Sequence, residues 1–224
     1  VAAMGILYNK DKTELIIGIG SGVINDLCKH VSFDCGLPYY IVATAPSMDG
    51  YASKGAALIL DGMKVTLNAD VPKAIIADVN ILKNAPFEMI QAGYGDIIGK
   101  YSALNDWKLS HLISSCTGIC GGSAIAAISP VIDADDKDIA FAMNATYEAV
   151  EKTVRLADGL NKRDADAICA LMEALVAVGI LMAYVGNSRP ASGSEHHFSH
   201  YFEIVGIVRG EDYLPHGIDV CYSA

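Results

Sequence analysis

The spacing of apolar residues changes near Asp78, and the change predicts two kinds of structure in one chain. Ahead of it, apolar residues come in short runs bounded by turn formers, the mark of strands. Residues 15–20 predict a strand that runs into a glycine-rich turn and then an amphipathic helix to about residue 30. Residues 38–44 predict a buried strand that ends in a polar segment, residues 45–53. Residues 56–60 and 63–67 flank Asp61-Gly62, a strong short-range hairpin signal, and residues 73–77 predict a last strand.

Beyond Asp78 the period is helical. Residues 86–114 predict helices interrupted near Gly93 and Gly95, because glycine weakens a helix interior. Residues 118–128 predict a closely packed helix, and residues 138–158 and 164–184 two core helices joined through residues 158–164. Residues 186–194 read as a loop leading into a histidine-bearing helix, and Pro215-His216-Gly217 as a turn. The expectation is an α/β domain over residues 1–78 followed by an all-helical domain over residues 79–224.

Composition narrows the function classes. With 224 residues that are 52% hydrophobic, the chain fills one generous core or two modest ones. A formal charge of -10 argues against nucleic acid or an anionic membrane as the partner. No uninterrupted apolar run reaches the roughly 18 residues of a membrane span, and the opening residues lack a signal-peptide pattern, so a soluble, cytoplasmic protein is expected. Cysteines 28, 35, 116, 120, 169 and 221 form no CxxC pair and are expected to be reduced core thiols. The acidic stretch 133–138 lacks the glycine and glutamate of a calcium loop and reads as a solvated turn.

Candidate chemistry sits at the joints between these elements. His196 and His200 are four apart, so a helix puts them on one face, either as a solvated patch or as a site for a metal or an anionic substrate. The glutamate that follows the first histidine of a zinc protease is replaced by His197, which removes that motif's general base. Gly18, Gly20 and Gly22 precede a helix N-terminus, a layout that cradles a pyrophosphate or simply turns a strand into a helix. Thr44, Ser47, Asp49 and Ser53 cluster at the C-terminal end of a strand, the edge where open α/β sheets hold ligands. Asp96, in apolar surroundings, needs a cation or serves as a helix cap. Arg189 suits bidentate binding of phosphate or carboxylate.

Taken in order, Gly20-Ser21-Gly22, the segment from Thr44 to Ser53, Ala92-Gly93-Tyr94-Gly95-Asp96 and the segment from Ser188 to His196 resemble the sn-glycerol-1-phosphate dehydrogenase family. That family lies within the iron-containing alcohol dehydrogenase and glycerol dehydrogenase superfamily, and the resemblance covers nearly all of the chain. It implies a Rossmann-like α/β domain followed by an all-α domain, the dehydroquinate synthase-like architecture, here truncated at both ends. It implies a divalent metal held by Asp96, His196 and His216, zinc first and nickel or iron otherwise. It further implies that Asp49 and His200 are catalytic, that Asp49, Asp96, His200 and Arg189 contact substrate, and that Gly20, Ser21, Gly22, Thr44, Ala45, Pro46, Ser47 and Ser53 contact NAD or NADP. The implied reaction interconverts dihydroxyacetone phosphate and sn-glycerol 1-phosphate by hydride transfer, in a homo-oligomer. A dehydrogenase of glycerol or another polyol, and an incomplete chain that binds metal or nucleotide without turnover, are the alternatives.

Overall fold

The computed structural model describes residues 12–60, 63–117, 136–212 and 214–224. Its α/β part begins with β1 (Ile16–Gly20), α1 (Gly22–Cys35) and β2 (Tyr39–Ala43). A 3-10 turn (Gly50–Ala52) leads to β3 (Gly55–Leu60), β4 (Met63–Asn68) and β5 (Ala74–Ala77). Strands β1, β2 and β5 form a parallel sheet with β2 in the middle. All three strands run the same way, so Gly20, Ala43 and Ala77 end on one edge of it. β3 and β4 form a separate antiparallel pair in which Leu60 opposes Met63. That register matches a two-residue hairpin loop, although Asp61-Gly62 itself lies outside the described residues.

Strand β2 buries Tyr39, Ile41 and Ala43 on one face, the period of a half-covered strand. Helix α1 covers that face and ends at Gly36, whose φ of 64° is the left-handed conformation that closes a helix. It approaches β1 so closely that a Cβ on Gly18 would lie 2.7 Å from Cys28 Sγ. The first glycine of the turn is therefore needed for helix-on-strand packing.

The remainder described is helical: α2 (Val79–Leu82), α3 (Phe87–Thr117), α4 (Asp136–Arg155), α5 (Ala157–Asn161), α6 (Ala165–Val185), α7 (Ser194–Arg209) and α8 (His216–Ser223). The expected interruption near Gly93 and Gly95 is absent: α3 runs for 31 residues through both glycines. The helix expected over residues 118–128 lies outside the described residues, as do residues 133–135 of the acidic turn, and the described helix α4 has its first residue at Asp136.

Helix α6 is the axis of the helical part. Asp164 caps its N-terminus by accepting from the N–H groups of Asp166 and Ala167, and Gly186 closes the other end with φ of 73°. By length and composition α6 is apolar enough to cross a membrane, but half of that stretch is buried inside the protein, which is the reading that fits a core helix. Ile168, Leu171, Leu175 and Val178 pack in one cluster with Tyr39 and Ile41 of the sheet, Ile90 and Ile97 of α3 and Val150 of α4. A smaller cluster joins Leu104 and Trp107 of α3 to Ile139, Ala142 and Leu181. The main core thus runs unbroken across position 78. Of the cysteines, Cys28, Cys35, Cys169 and Cys221 are described as free thiols, but only Cys28 is buried and Cys221 is exposed. The core-thiol expectation fails for Cys221, which is exposed on the last turn of α8 although its Cβ lies near Gly95 of α3.

Candidate functional site

Three backbone approaches assemble the site, each allowed by a glycine. A Cβ on Gly93 of α3 would lie 1.9 Å from the carbonyl oxygen of Pro46, and one on Gly95 would lie 2.2 Å from that of Gly217. A Cβ on Gly217 in turn would lie 1.8 Å from the carbonyl oxygen of Ala92. Any side chain at these positions would push the partner backbone away. The two glycines ahead of Asp96 therefore let the 45–53 segment and the first turn of α8 close on α3 from two sides. Asp49 arrives from the first and His216 from the second.

Asp96, His196 and His216 offer ligand atoms that all lie within 4.8 Å of one another. His196 Nε2 stands 3.8 Å from Asp96 Oδ1, too long for a hydrogen bond. Two ligands at about 2.1 Å from a tetrahedral ion are about 3.4 Å apart, so the spacing suits donors that share a cation. Each imidazole is already turned for that task. His196 Nδ1 donates to Glu195 Oε1 at 2.7 Å, and His216 Nδ1 donates to Glu203 Oε1 at 2.6 Å. With Nδ1 engaged by a carboxylate, Nε2 carries the lone pair a metal needs. One carboxylate and two imidazoles make a donor set that zinc, iron and nickel all accept.

Lys100, one helical turn after Asp96 and fully buried, lies between two carboxylates: its Nζ is 2.9 Å from Asp96 Oδ1 and 2.6 Å from Asp49 Oδ2. The other oxygen of Asp96 accepts the backbone N–H of Asp49 at 2.9 Å. Burial alone would raise the Asp96 carboxyl, but the charges of Lys100, His196 and His216 outweigh it and hold the group below its usual range. Burial pulls Lys100 down, yet Asp49 and Asp96 outweigh that and hold its ammonium above its usual range. Glu195 is also held ionised, since its bonds from His196 and the Gly193 N–H overcome the cost of burial. His200, also on α7, stacks on His216 with 5.3 Å between ring centroids and 13° between planes.

Asp49, Asp96, His196, His200 and His216 line one end of a cleft of about 910 Å³ that reaches past Met48, Gly50 and Ser53 to Gly22, Val23 and Asp26 at the start of α1 and to Thr66 and Asn68 of β4. Residues 1–86 match the family described as iron-containing alcohol dehydrogenase, and residues 74–147 match one described as conserved hypothetical protein 698. Over 223 residues the chain is 36% identical to a protein of Bacillus licheniformis named glycerol-1-phosphate dehydrogenase [NAD(P)+], covering 100% of this chain and 50% of that one. A protein of the same name from Halalkalibacterium halodurans is 34% identical over 212 residues, or 95% of this chain and 48% of that one. The chain is homologous to the glycerol-1-phosphate dehydrogenases. It spans about half the length of the relatives it matches. Its fold is that of a probable glycerol dehydrogenase from Sinorhizobium meliloti, with a TM-score of 0.73 at 19% identity over 99% of this chain and 58% of that one.

With that homology in hand, the residues expected to act can be located. Asp49, Asp96, His196, His200, His216, Ser53 and Gly22 all line the cleft. Gly20, Ser21, Thr44, Ala45, Pro46, Ser47 and Arg189 are not among its lining residues. A Cβ on Gly20 would lie 2.5 Å from Ile24, Thr44 N–H is taken by the Gly20 carbonyl, and the Ala45 carbonyl accepts from Tyr51 at 2.7 Å. Ser53 bonds to Lys29 Nζ at 3.0 Å, so its hydroxyl is committed inside the 50–55 turn. In place of the Arg189 side chain, its loop neighbours Asn187, Ser188 and Ser192 reach the cleft. Asp96 is neither at a helix break nor a cap, since it sits in the interior of α3 with Lys100 as its cation.

Sequence reasoning passed over Lys100, Glu195 and Glu203. Helical spacing carried a signal for each: Lys100 is four after Asp96, Glu195 adjoins His196, and Glu203 is three after His200.

Proposed function

We propose that this chain carries the metal-binding and substrate-binding side of an NAD(P)-linked dehydrogenase that interconverts dihydroxyacetone phosphate and sn-glycerol 1-phosphate. The observation that supports it most is the convergence of Asp96, His196 and His216 on a cleft, with both ligand imidazoles turned by carboxylates. The names of the relatives favour the phosphorylated substrate over a free polyol. In this reading residues 1–78 hold the dinucleotide, residues 79–224 hold the metal and, with Asp49, the substrate, and the architecture is dehydroquinate synthase-like.

A divalent cation bound by Asp96, His196 and His216 supplies Lewis-acid polarisation of a carbonyl or alcohol oxygen. Asp49 is fixed by Lys100 beside that position and orients a substrate hydroxyl. His200, whose Nδ1 faces Glu203 Oε2 at 3.1 Å, uses Nε2 to hold the proton that the substrate oxygen gains on reduction and loses on oxidation. The first turn of α1, open to the cleft at Gly22 and Val23, offers N–H groups to a cofactor phosphate.

The test is turnover of NADH or NADPH with dihydroxyacetone phosphate and with dihydroxyacetone, alongside metal analysis. Consumption with the phosphorylated ketone alone supports the reading, and equal or faster consumption with dihydroxyacetone overturns the phosphate assignment. His196→Ala is expected to abolish metal retention, and a variant that keeps its metal contradicts the ligand set. Retained metal without turnover in the unsubstituted chain selects the reading of a chain that binds metal without catalysis.

A further inference from the structure

Glu203 lies on α7, is 3% exposed and lines the cleft among the histidines. Its two oxygens face two different imidazoles: Oε1 is 2.6 Å from His216 Nδ1, and Oε2 is 3.1 Å from His200 Nδ1. The two rings are stacked nearly parallel, at 13°. Where a carboxylate oxygen meets an imidazole nitrogen it is the nitrogen that donates, so the geometry puts the N–H of each ring on the Nδ1 that faces Glu203. Fixing the proton on Nδ1 of each ring leaves the lone pair of each on Nε2.

We infer that Glu203 is a positioning residue that sets the tautomer and orientation of His200 and His216 together. It turns one Nε2 toward the metal position and the other toward the substrate oxygen. The inference rests on the dehydrogenase reading for the names of the two jobs, but the tautomer assignment stands on geometry alone. Glu195 does the same for His196 alone, accepting from its Nδ1 at 2.7 Å. Helix α7 therefore supplies the orienting carboxylates for all three imidazoles. A shared carboxylate adds what separate ones would not: the ligand and the proton carrier cannot be reoriented independently. A metal-ligand imidazole that loses its carboxylate partner commonly loses about 10- to 100-fold in metal affinity.

Three measurements test this. In the nitrogen-15 spectrum of zinc-free, histidine-labelled protein, His200 and His216 are expected to carry their proton on Nδ1, and a proton on Nε2 of either ring overturns the proposal. Glu203→Gln keeps one acceptor and replaces the other with an N–H donor, so one ring must move its proton to Nε2. The expected result is such a change in the spectrum, together with either a zinc affinity about 10- to 100-fold weaker in a chelator competition or a fall in kcat at nearly unchanged KM. An unchanged spectrum with zinc affinity and kcat within about twofold of the parent overturns the proposal. Should Glu203→Gln fail to fold, Glu203→Asp serves in its place: the shorter side chain reaches one ring, and retention of both Nδ1 protons and of full zinc affinity counts against the shared role. Neither the spectrum nor the chelator competition involves turnover. Failure of dihydroxyacetone phosphate as a substrate would therefore sink the functional reading while leaving this one intact.

Discussion

Lys100 has no exposed surface and holds Asp49 and Asp96 apart by standing between them. Lys100→Met leaves two carboxylates facing each other in a buried site, which costs about 3–5 kcal/mol at neutral pH. The sign of the pH dependence follows from Asp96. Its folded-state pKa lies below the ordinary 3.8, so its contribution to stability is present above that value and is lost as pH falls through the lower one. Without Lys100 the Asp96 carboxyl loses the largest charge that offsets its burial and moves upward, and its protonation relieves the repulsion. Urea unfolding of zinc-free protein at about pH 7 and about pH 5 should therefore show the deficit of Lys100→Met shrinking on acidification. A deficit of the same size at both pH values would count against the ion-pair account. That Asp96, His196 and His216 come together was legible from the sequence only through the family resemblance of the ordered motifs that carry them. Lys100 was not, because a lysine four residues after an aspartate usually reads as a solvated helix pair, and burial is decided by what packs from outside the helix.

Among the elements, α3 departs most from its sequence expectation. Gly93 and Gly95 read locally as helix breakers, since glycine costs about 1 kcal/mol against alanine inside a helix. The structure keeps the helix and spends the glycines on contact with the Pro46 and Gly217 carbonyls, partners that lie far along the chain and leave no local trace. Gly93→Ala should raise the intrinsic helix propensity of α3 and still destabilise the protein, by about 1–3 kcal/mol from overpacking. The same substitution should shift Asp49 and weaken substrate binding. Thermal unfolding and substrate titration check both, and a stabilised variant would show that the close approach is dispensable. Helix α6 was placed within a residue or two from its apolar spacing, and its cap obeys the usual chemistry. Asp164→Ala should cost about 1 kcal/mol, read as a lower urea midpoint with unchanged metal affinity.

For the molecule as a whole, the passage from an α/β part to a helical part was visible in the change of hydrophobic period at Asp78, because periods of two and of 3.6 are local properties. What the period could not show is that Tyr39 and Ile41 share one core with Ile168 and Leu171, since packing between distant segments has no period. The same long-range construction has a kinetic consequence. Asp96, His196 and His216 come together only when α7 and α8 have docked on α3, and closing such long loops is a late event in folding. On the proposed ligand assignment, a divalent cation such as zinc would meet no assembled site in the unfolded chain or in an early collapsed state. In stopped-flow chevrons, saturating zinc should lower the unfolding arm and leave the refolding arm where it was, so that the ion acts as a brake on escape from the native state.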